Sequence, residues 1–556
     1  MTDHHPRAAA ILLCVSACLP GIAAGETPRP TPSVAEEFVS AEPAEPLPAP
    51  AAAALAGLTA SALAAHIRLL ASSALEGRGL ASRGLDAAAE YVAAALALAG
   101  IPPLGNAGGS QEKADYFQQV PLRELSGLTG QVTVERRSGE ATWSRSFFAG
   151  VDCLFAEQAP HSLTAPVVFA GYGIREEKLG RDDYRGLDAR GKIVLVLAGV
   201  PGGEPWQRPE LLARYASLEA RKRWDVKLET ARALGAAAVL GVEGDDFADR
   251  DLAKEHAEAR FFLAYDAPAA DHAIALVRVS AAAADALLAA GDLDHASART
   301  AQPRTLSGAT ASIRVSGTER LVASRNVVGF IAGSDPKLRD EAIVIGAHMD
   351  HLGRVDDVVY PGADDNASGV SALIEIAKAL AVLPTKPKRT VVIAFWTGEE
   401  EGKFGSGFYV RHPLWPLAHT TAYLNLDMIG HPWSMDEIRK VVADAGLPAG
   451  DAFLAKVKPA DFVEPGLPPD APELEAALRH AGHATGLALH FDRTDGTHGG
   501  SDYRDFARAH VPFIRFFGNF FPAYHQPGDT ADQLDATQVQ RMARLAFVTA
   551  WLLADR

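Results

Sequence analysis

The sequence of 556 residues predicts an α/β fold organised around a sheet whose central strands run parallel and are covered on both faces. Three observations carry that reading. Glu341–His348, Thr390–Trp396, Ala422–Asp427 and Val511–Phe517 are short, nearly unbroken apolar runs, the pattern of strands buried on both sides. Leu58–Ala71 and Gly84–Leu98 have the spacing of amphipathic helices, with Gly100 and then Pro102-Pro103 stopping the second. Each of the four apolar runs delivers His, Asp or Glu at or beyond its carboxyl end, where open α/β sheets place their sites.

Those endings set the chemistry. The first run ends in His348-Met-Asp350, the second leads into Gly398-Glu399-Glu400, the third ends in Asp427, and the fourth is followed by Tyr524-His525. Between the first two lies Gly362-Ala-Asp-Asp-Asn-Ala-Ser-Gly369, which carries the adjacent carboxylates Asp364 and Asp365 and opens a helix. One such ending is an ordinary turn, but four together describe a metal site. A pair of zinc ions needs a shared carboxylate and terminal ligands on either side. His348, Asp365, Glu400, Asp427 and His525 supply two imidazoles and three carboxylates for it. Glu399, beside Glu400, is left to act as general base. Asp350, two residues past His348, is placed to orient its ring. Tyr524 is a candidate substrate contact. H-E-x-x-H, G-x-S-x-G and the phosphate-binding P-loop are absent from the sequence.

Composition narrows the partners. The formal net charge of −16, with no basic stripe, argues against nucleic acid or an anionic membrane as partner. The three cysteines, Cys14, Cys18 and Cys153, form neither a disulfide framework nor a C-x-x-C zinc site. Residues 1–25 read as an export signal: Arg7, an apolar core from Ala8 to Ala17 too short to span a bilayer, then Ala23-Ala24-Gly25. Val15-Ser-Ala-Cys18 also resembles a bacterial lipoprotein box, which would place a lipid anchor on Cys18. The expected location is therefore periplasmic, secreted or lipid-anchored to the envelope, with no transmembrane span in the mature chain. Residues 26–54, rich in Pro and Ala, read as a tether.

Residues 121–320 change character. Gly130–Arg136, Pro166–Tyr172 and Lys192–Ala198 are β-like, and Lys227–Gly235 is a helix running into the apolar Ala236–Gly241. No ordered set of metal ligands occurs there, and Asp182-Asp183 reads as a turn. The segment is expected to be a separate α/β module inserted between 55–120 and 321–556, which together form the catalytic domain.

The ordered motifs His348-Met-Asp350, Gly362–Gly369, Gly398-Glu-Glu400 with Gly402 and Gly405-Ser406, Asn425-Leu-Asp-Met-Ile-Gly430 and Tyr524-His525 resemble those of the secreted bacterial di-zinc aminopeptidases and their glutamate carboxypeptidase relatives. Phe169–Ile174, Leu187–Lys192 and the Ala-rich run to Val242 resemble the protease-associated domain often inserted in that family. The resemblance implies a doubly wound mixed sheet, two zinc ions per chain, and removal of N-terminal residues from peptide substrates. It puts the bridging carboxylate on Asp365 and the general base on Glu399. A glutamate-releasing carboxypeptidase on the same fold is the nearest alternative, and a non-catalytic binding protein the more distant one. The single-zinc cyclases of glutaminyl N-termini fit less well with five ligands intact. Two departures from the family pattern, Tyr503 after Ser501-Asp502 and Glu401 after the glutamate pair, bear on substrate preference.

Overall fold

The computed structural model describes residues 38–39, 47–106, 114–155, 161–216, 220–243, 247, 260–264, 274–444 and 453–556. The export signal, Cys14, Cys18 and most of the expected tether lie outside the described residues. Residues 49–54 of that tether belong to the helix Ala49–Gly57, whose Ala51 and Ala54 are buried. Pro48 precedes it and Pro50 sits in its first turn, where a missing N–H costs nothing. Among the described residues no single helix is long and apolar enough to cross a membrane.

The four predicted central strands form as Ala342–His348, Thr390–Trp396, Thr420–Leu426 and Phe513–Phe516. Ala342–His348 pairs in parallel with both Thr390–Trp396 and Thr420–Leu426, and the latter pairs in parallel with Phe513–Phe516. All four carboxyl ends therefore open on one edge. Alternate residues feed two cores, as the two-residue period of a strand demands. Ile343, Ile345, Val391, Ile393 and Phe395 face helices Ala60–Leu70, Arg83–Leu98, Gly369–Ala381, Pro472–Thr485 and Ala536–Asp555. Val344, Val392, Ala394, Trp396 and Tyr423 pack on the other face with Tyr409, Tyr503 and Phe506. Tyr503, the departure from the family pattern, is stacked on Phe513 at 4.8 Å between ring centroids.

The segment between these halves has cores of its own. Ile193–Leu197 lies parallel to His161–Phe169 and Ala238–Val242, and Ala238–Val242 lies parallel to Ala275–Val279. Their side chains divide between two further clusters, one with Trp206 and Tyr215, the other around Trp224. Asp183 is buried and accepts hydrogen bonds from the backbone N–H of Tyr172 and Ile174, so it closes the Gly171–Gly173 turn. Cys153 is a buried free thiol.

One element joins the two halves. Arg304–Ile331 is a single strand of 28 residues. Its early part pairs antiparallel with His161–Phe169, and Val327–Ile331 pairs antiparallel with Thr390–Trp396. The sheet is thus mixed and continuous, two parallel blocks joined by an antiparallel strand. The expected boundary at 320/321 falls inside this strand. This one strand pairs with both blocks.

Candidate metal centre

The strand ends and the Gly362–Gly369 loop bring six His, Asp and Glu side chains together. His348 is buried where its strand ends. Its Nε2 lies 3.2 Å from Asp427 Oδ1 and 3.4 Å from Asp365 Oδ1. The other oxygen of Asp365 lies 3.0 Å from His525 Nε2 and 3.7 Å from His351 Nδ1. Glu400 offers Oε1 to His351 Nδ1 at 2.7 Å and Oε2 to His525 Nε2 at 3.2 Å. Asp365 therefore stands between two groups, with His348 and Asp427 on one side and His351, His525 and Glu400 on the other. The second histidine of His348-Met-Asp-His351 was not among the sequence candidates. Its position three residues past His348, in the loop leaving the same strand end, is the signal by which the sequence could have given it.

Local structure explains why these groups point inward. Gly362 has a φ of +61°, and a Cβ there would sit 2.2 Å from Asp365 O and 2.5 Å from His351 Cγ. Only glycine allows the loop to pass that closely. Asn366 then ties the loop to the next strand end: its Nδ2 donates to Leu426 O, and its Oδ1 accepts from Gly369 N and Met428 N. Asp529 accepts from the backbone N–H of Asp364 and Asp365 at 2.9 and 3.1 Å. Asp364 itself turns away from the cluster. It is fully buried and accepts from Gly430 N at 2.7 Å, with His431 Nδ1 2.6 Å away. Met428 and His525 hold left-handed backbone angles of 51° and 55°, strain of the kind that clusters at functional sites.

Asp350 does something different from its expected role. His348 Nδ1 meets the backbone carbonyl of Asp350 at 3.1 Å, while the Asp350 carboxylate is 3.9 Å from that nitrogen. The carboxylate instead accepts from the backbone N–H of Glu399 and Glu400 at 3.1 and 3.2 Å. It caps the short turn Glu399–Gly402, whose own preceding residue is Gly398 and supplies no side chain. Glu399 lies off the ligand-type cluster, with Oε1 2.9 Å from Lys403 Nζ. Tyr524 packs its ring on His525 at 3.9 Å.

The electrostatics of the cluster favour positive charge. Burial works against charge on His525, but the Asp365 and Glu400 carboxylates outweigh it and raise its pKa to about 10. Burial likewise opposes charge on His348, and Asp427 and Asp365 overcome it. Burial, reinforced by Glu400 and Asp502, pushes Glu399 well above the usual carboxylate range in spite of His348 and Lys403. Each of the three imidazole nitrogens faces two carboxylates, yet a nitrogen carries at most one proton. The donors are all imidazole nitrogen and carboxylate oxygen, grouped closely enough to hold cations and a set suited to zinc.

Comparison with known proteins agrees with this geometry. Residues 326–550 match the model of peptidase family M28. A probable glutamate carboxypeptidase of Arthroderma benhamiae is 39% identical over 107 residues, 18% of this chain and 14% of that protein. A probable lipoprotein aminopeptidase of Mycobacterium tuberculosis is 29% identical over 265 residues, 42% of this chain and 46% of that protein. A probable zinc metalloprotease of Pyrenophora tritici-repentis is 28% identical over 282 residues, 45% of this chain and 57% of that protein. The chain thus spans from 14% to 57% of the length of these curated relatives. The fold matches a solved aminopeptidase from Aneurinibacillus sp. strain AM-1, with a TM-score of 0.52 and 20% identity over 90% of this chain and 95% of that one. Residues 326–550, the segment that matches the model of peptidase family M28, carry every side chain of the cluster.

Proposed function

We propose that this chain is a zinc-dependent exopeptidase that removes N-terminal residues from peptides. The observation that carries the proposal is the division of Asp365, whose two oxygens face two separate sets of imidazole and carboxylate donors. We assign two zinc ions to it: His348 and Asp427 on one side, Glu400 and His525 on the other, with Asp365 shared. Zinc held there would supply Lewis acidity, activating water and polarising the scissile carbonyl. The chain's own residues do the rest. Glu399, buried and outside the ligand set, takes the proton of the attacking water. It returns that proton to the nitrogen of the leaving amine as the C–N bond breaks. Asp350 holds the backbone of Glu399 and Glu400, so base and ligand keep a fixed relation. Tyr524 lines the approach beside His525.

Residues 121–320 are proposed to be a protease-associated module that contributes no ligand, since its two large buried clusters are its own. Export, either free or with a lipid on Cys18, is proposed from the pattern of residues 1–25; a similar protein of Mycobacterium tuberculosis is named a lipoprotein aminopeptidase. Glutamate-releasing carboxypeptidase activity is the second reading, favoured by the name of the 39% identical relative.

The test is Glu399→Gln, which keeps shape but cannot carry the proton. Zinc content should stay at the wild-type level while kcat on an aminoacyl substrate falls about 10²–10⁴-fold. A Gln variant that holds zinc and remains active removes Glu399 as the base. A parallel panel of aminoacyl and N-blocked, C-terminally free dipeptides separates the two exopeptidase readings.

A further inference from the structure

The glycine-rich turn Leu75–Gly79 comes from the far N-terminal side of the chain, more than 250 residues before His348 in sequence, yet it packs directly beneath the cluster. Arg78 is the centre of that contact. Its side chain is buried and surrounded by backbone carbonyls: Nε donates to Met349 O at 2.8 Å, Nη2 to Gly362 O at 2.8 Å, and Nη1 to Pro361 O at 2.7 Å and to Leu70 O. Its backbone joins in, since Arg78 O accepts from His351 N and Gly77 O from Gly353 N. The turn is shaped for this. Glu76, Gly77 and Arg78 all hold left-handed φ angles, of 49°, 70° and 52°. A Cβ on Gly77 would lie 2.2 Å from Gly353 O, and one on Gly79 2.9 Å from Gly353 Cα.

Burying a guanidinium is expensive unless its donors are met. Here the fork is met by the two loops that carry His348, His351 and Asp365, and by Leu70 O at the end of helix Ala60–Leu70. Burial lowers its pKa to about 10, with Asp529, Asp365, Asp350 and Glu400 opposing, so it stays cationic at neutral pH.

We propose that Arg78 is a positioning residue for the metal centre: it clamps the His348–Gly353 and Pro361–Asp365 loops at the spacing that lets Asp365 face both donor sets. This rests on the zinc reading of the cluster. The alternative, that Arg78 serves only to balance nearby carboxylates, makes the opposite prediction. A cation beside a zinc site repels zinc, so a neutral replacement would then tighten binding. A clamp, in contrast, loses affinity whether or not the charge is kept, because lysine cannot span carbonyls on three segments with a planar fork.

The experiment uses the full chain, stripped of metal and titrated with zinc against a chromophoric chelator. Circular dichroism and thermal melting of the apo forms accompany it, as do cobalt spectra of the loaded forms. Arg78→Lys and Arg78→Gln should both bind zinc about 10–100-fold more weakly than wild type. Their cobalt ligand-field bands should shift, a change that loss of stability alone would not produce. Gly79→Ala, which pushes the turn from Gly353 without touching charge, should weaken zinc in the same direction and keeps the test available if the Arg78 variants do not fold. Zinc affinity within about 2-fold of wild type in Arg78→Lys or in Gly79→Ala, or tighter binding in Arg78→Gln, overturns the clamp. Absence of zinc binding by wild type would instead overturn the zinc reading, and the clamp with it.

Discussion

Asp350→Asn isolates the link between the end of one strand and the Glu399–Glu400 pair at the end of the next. Each oxygen of this fully buried carboxylate accepts one backbone N–H, from Glu399 at 3.1 Å and Glu400 at 3.2 Å. Asparagine has the same shape but one acceptor oxygen, and its NH₂ group meets the remaining N–H donor to donor. A buried donor left unsatisfied costs about 1–3 kcal/mol, and the surviving bond loses its charge assistance, roughly another 1 kcal/mol. The sum is on the order of 2–4 kcal/mol, taken from the turn Glu399–Gly402. At about 2–4 °C per kcal/mol for a catalytic unit of this size, melting should fall by roughly 4–16 °C. Function should suffer beyond that. The backbone of the proposed base Glu399 and of the proposed ligand Glu400 is released together, so kcat should fall about 10–100-fold with KM changed less. Differential scanning calorimetry, zinc analysis and steady-state kinetics below the melting range read these effects. Asp350→Asn with wild-type melting and wild-type kcat would refute the reasoning, because two buried N–H groups cannot both be satisfied by one oxygen at these positions.

Two comparisons test the register and the membership of the cluster. Asp365→Asn should lose zinc from both positions, whereas Asp364→Asn, whose carboxylate faces Gly430 N and His431, should keep zinc and lose mainly stability; metal analysis showing the reverse breaks the assigned register. His351→Gln should weaken zinc on the Glu400 side about 10–100-fold, since its Nδ1 is 2.7 Å from Glu400 Oε1. Unchanged zinc affinity in that variant would leave His351 outside the site.

What the sequence disclosed and what it hid follow from the range of the interactions. The central strands were legible because burial on both faces demands unbroken apolar runs such as Thr390–Trp396, and helices Ala60–Leu70 and Arg83–Leu98 because one apolar stripe faces the core. The grouping of His348, Asp365, Glu400, Asp427 and His525 was legible because all of them lie on one edge of a parallel sheet. Contacts made across sequence were not. Asp529 and Arg78 act on loops some 165 and 280 residues away, and neither stands in a local pattern that announces it. Asp350 was expected at the His348 ring because it lies two residues past it in sequence. Its carboxylate goes to Glu399 and Glu400, where two backbone donors stood without acceptors, and its carbonyl takes the ring nitrogen. The span of Arg304–Ile331 was hidden because alternating exposure in its first half and continuous burial near its end look like two elements.

The same long-range contacts explain why so many buried carboxylates are tolerated at one edge of a sheet. Asp350, Asp364 and Asp529 never approach the imidazole nitrogens as ligands. Each accepts from backbone N–H groups of the loops around the cluster: Asp350 from Glu399 and Glu400, Asp529 from Asp364 and Asp365, and Asp364 from Gly430, its second oxygen facing the His431 ring. Arg78 does the complementary work on the carbonyl side of those loops. The shell is therefore built mainly of charged side chains holding backbone, whereas the inner carboxylates Asp365, Glu400 and Asp427 face imidazole nitrogens. A buried charge satisfied by fixed backbone dipoles needs no mobile counter-ion, whereas Asp365, Glu400 and Asp427 face only nitrogens that can each give one proton. That contrast separates the outer acids from the inner ones more sharply than their spacing in sequence does. It also makes the binding of cations the step that relieves the inner cluster, coupling metal affinity to the stability of the strand ends that present it.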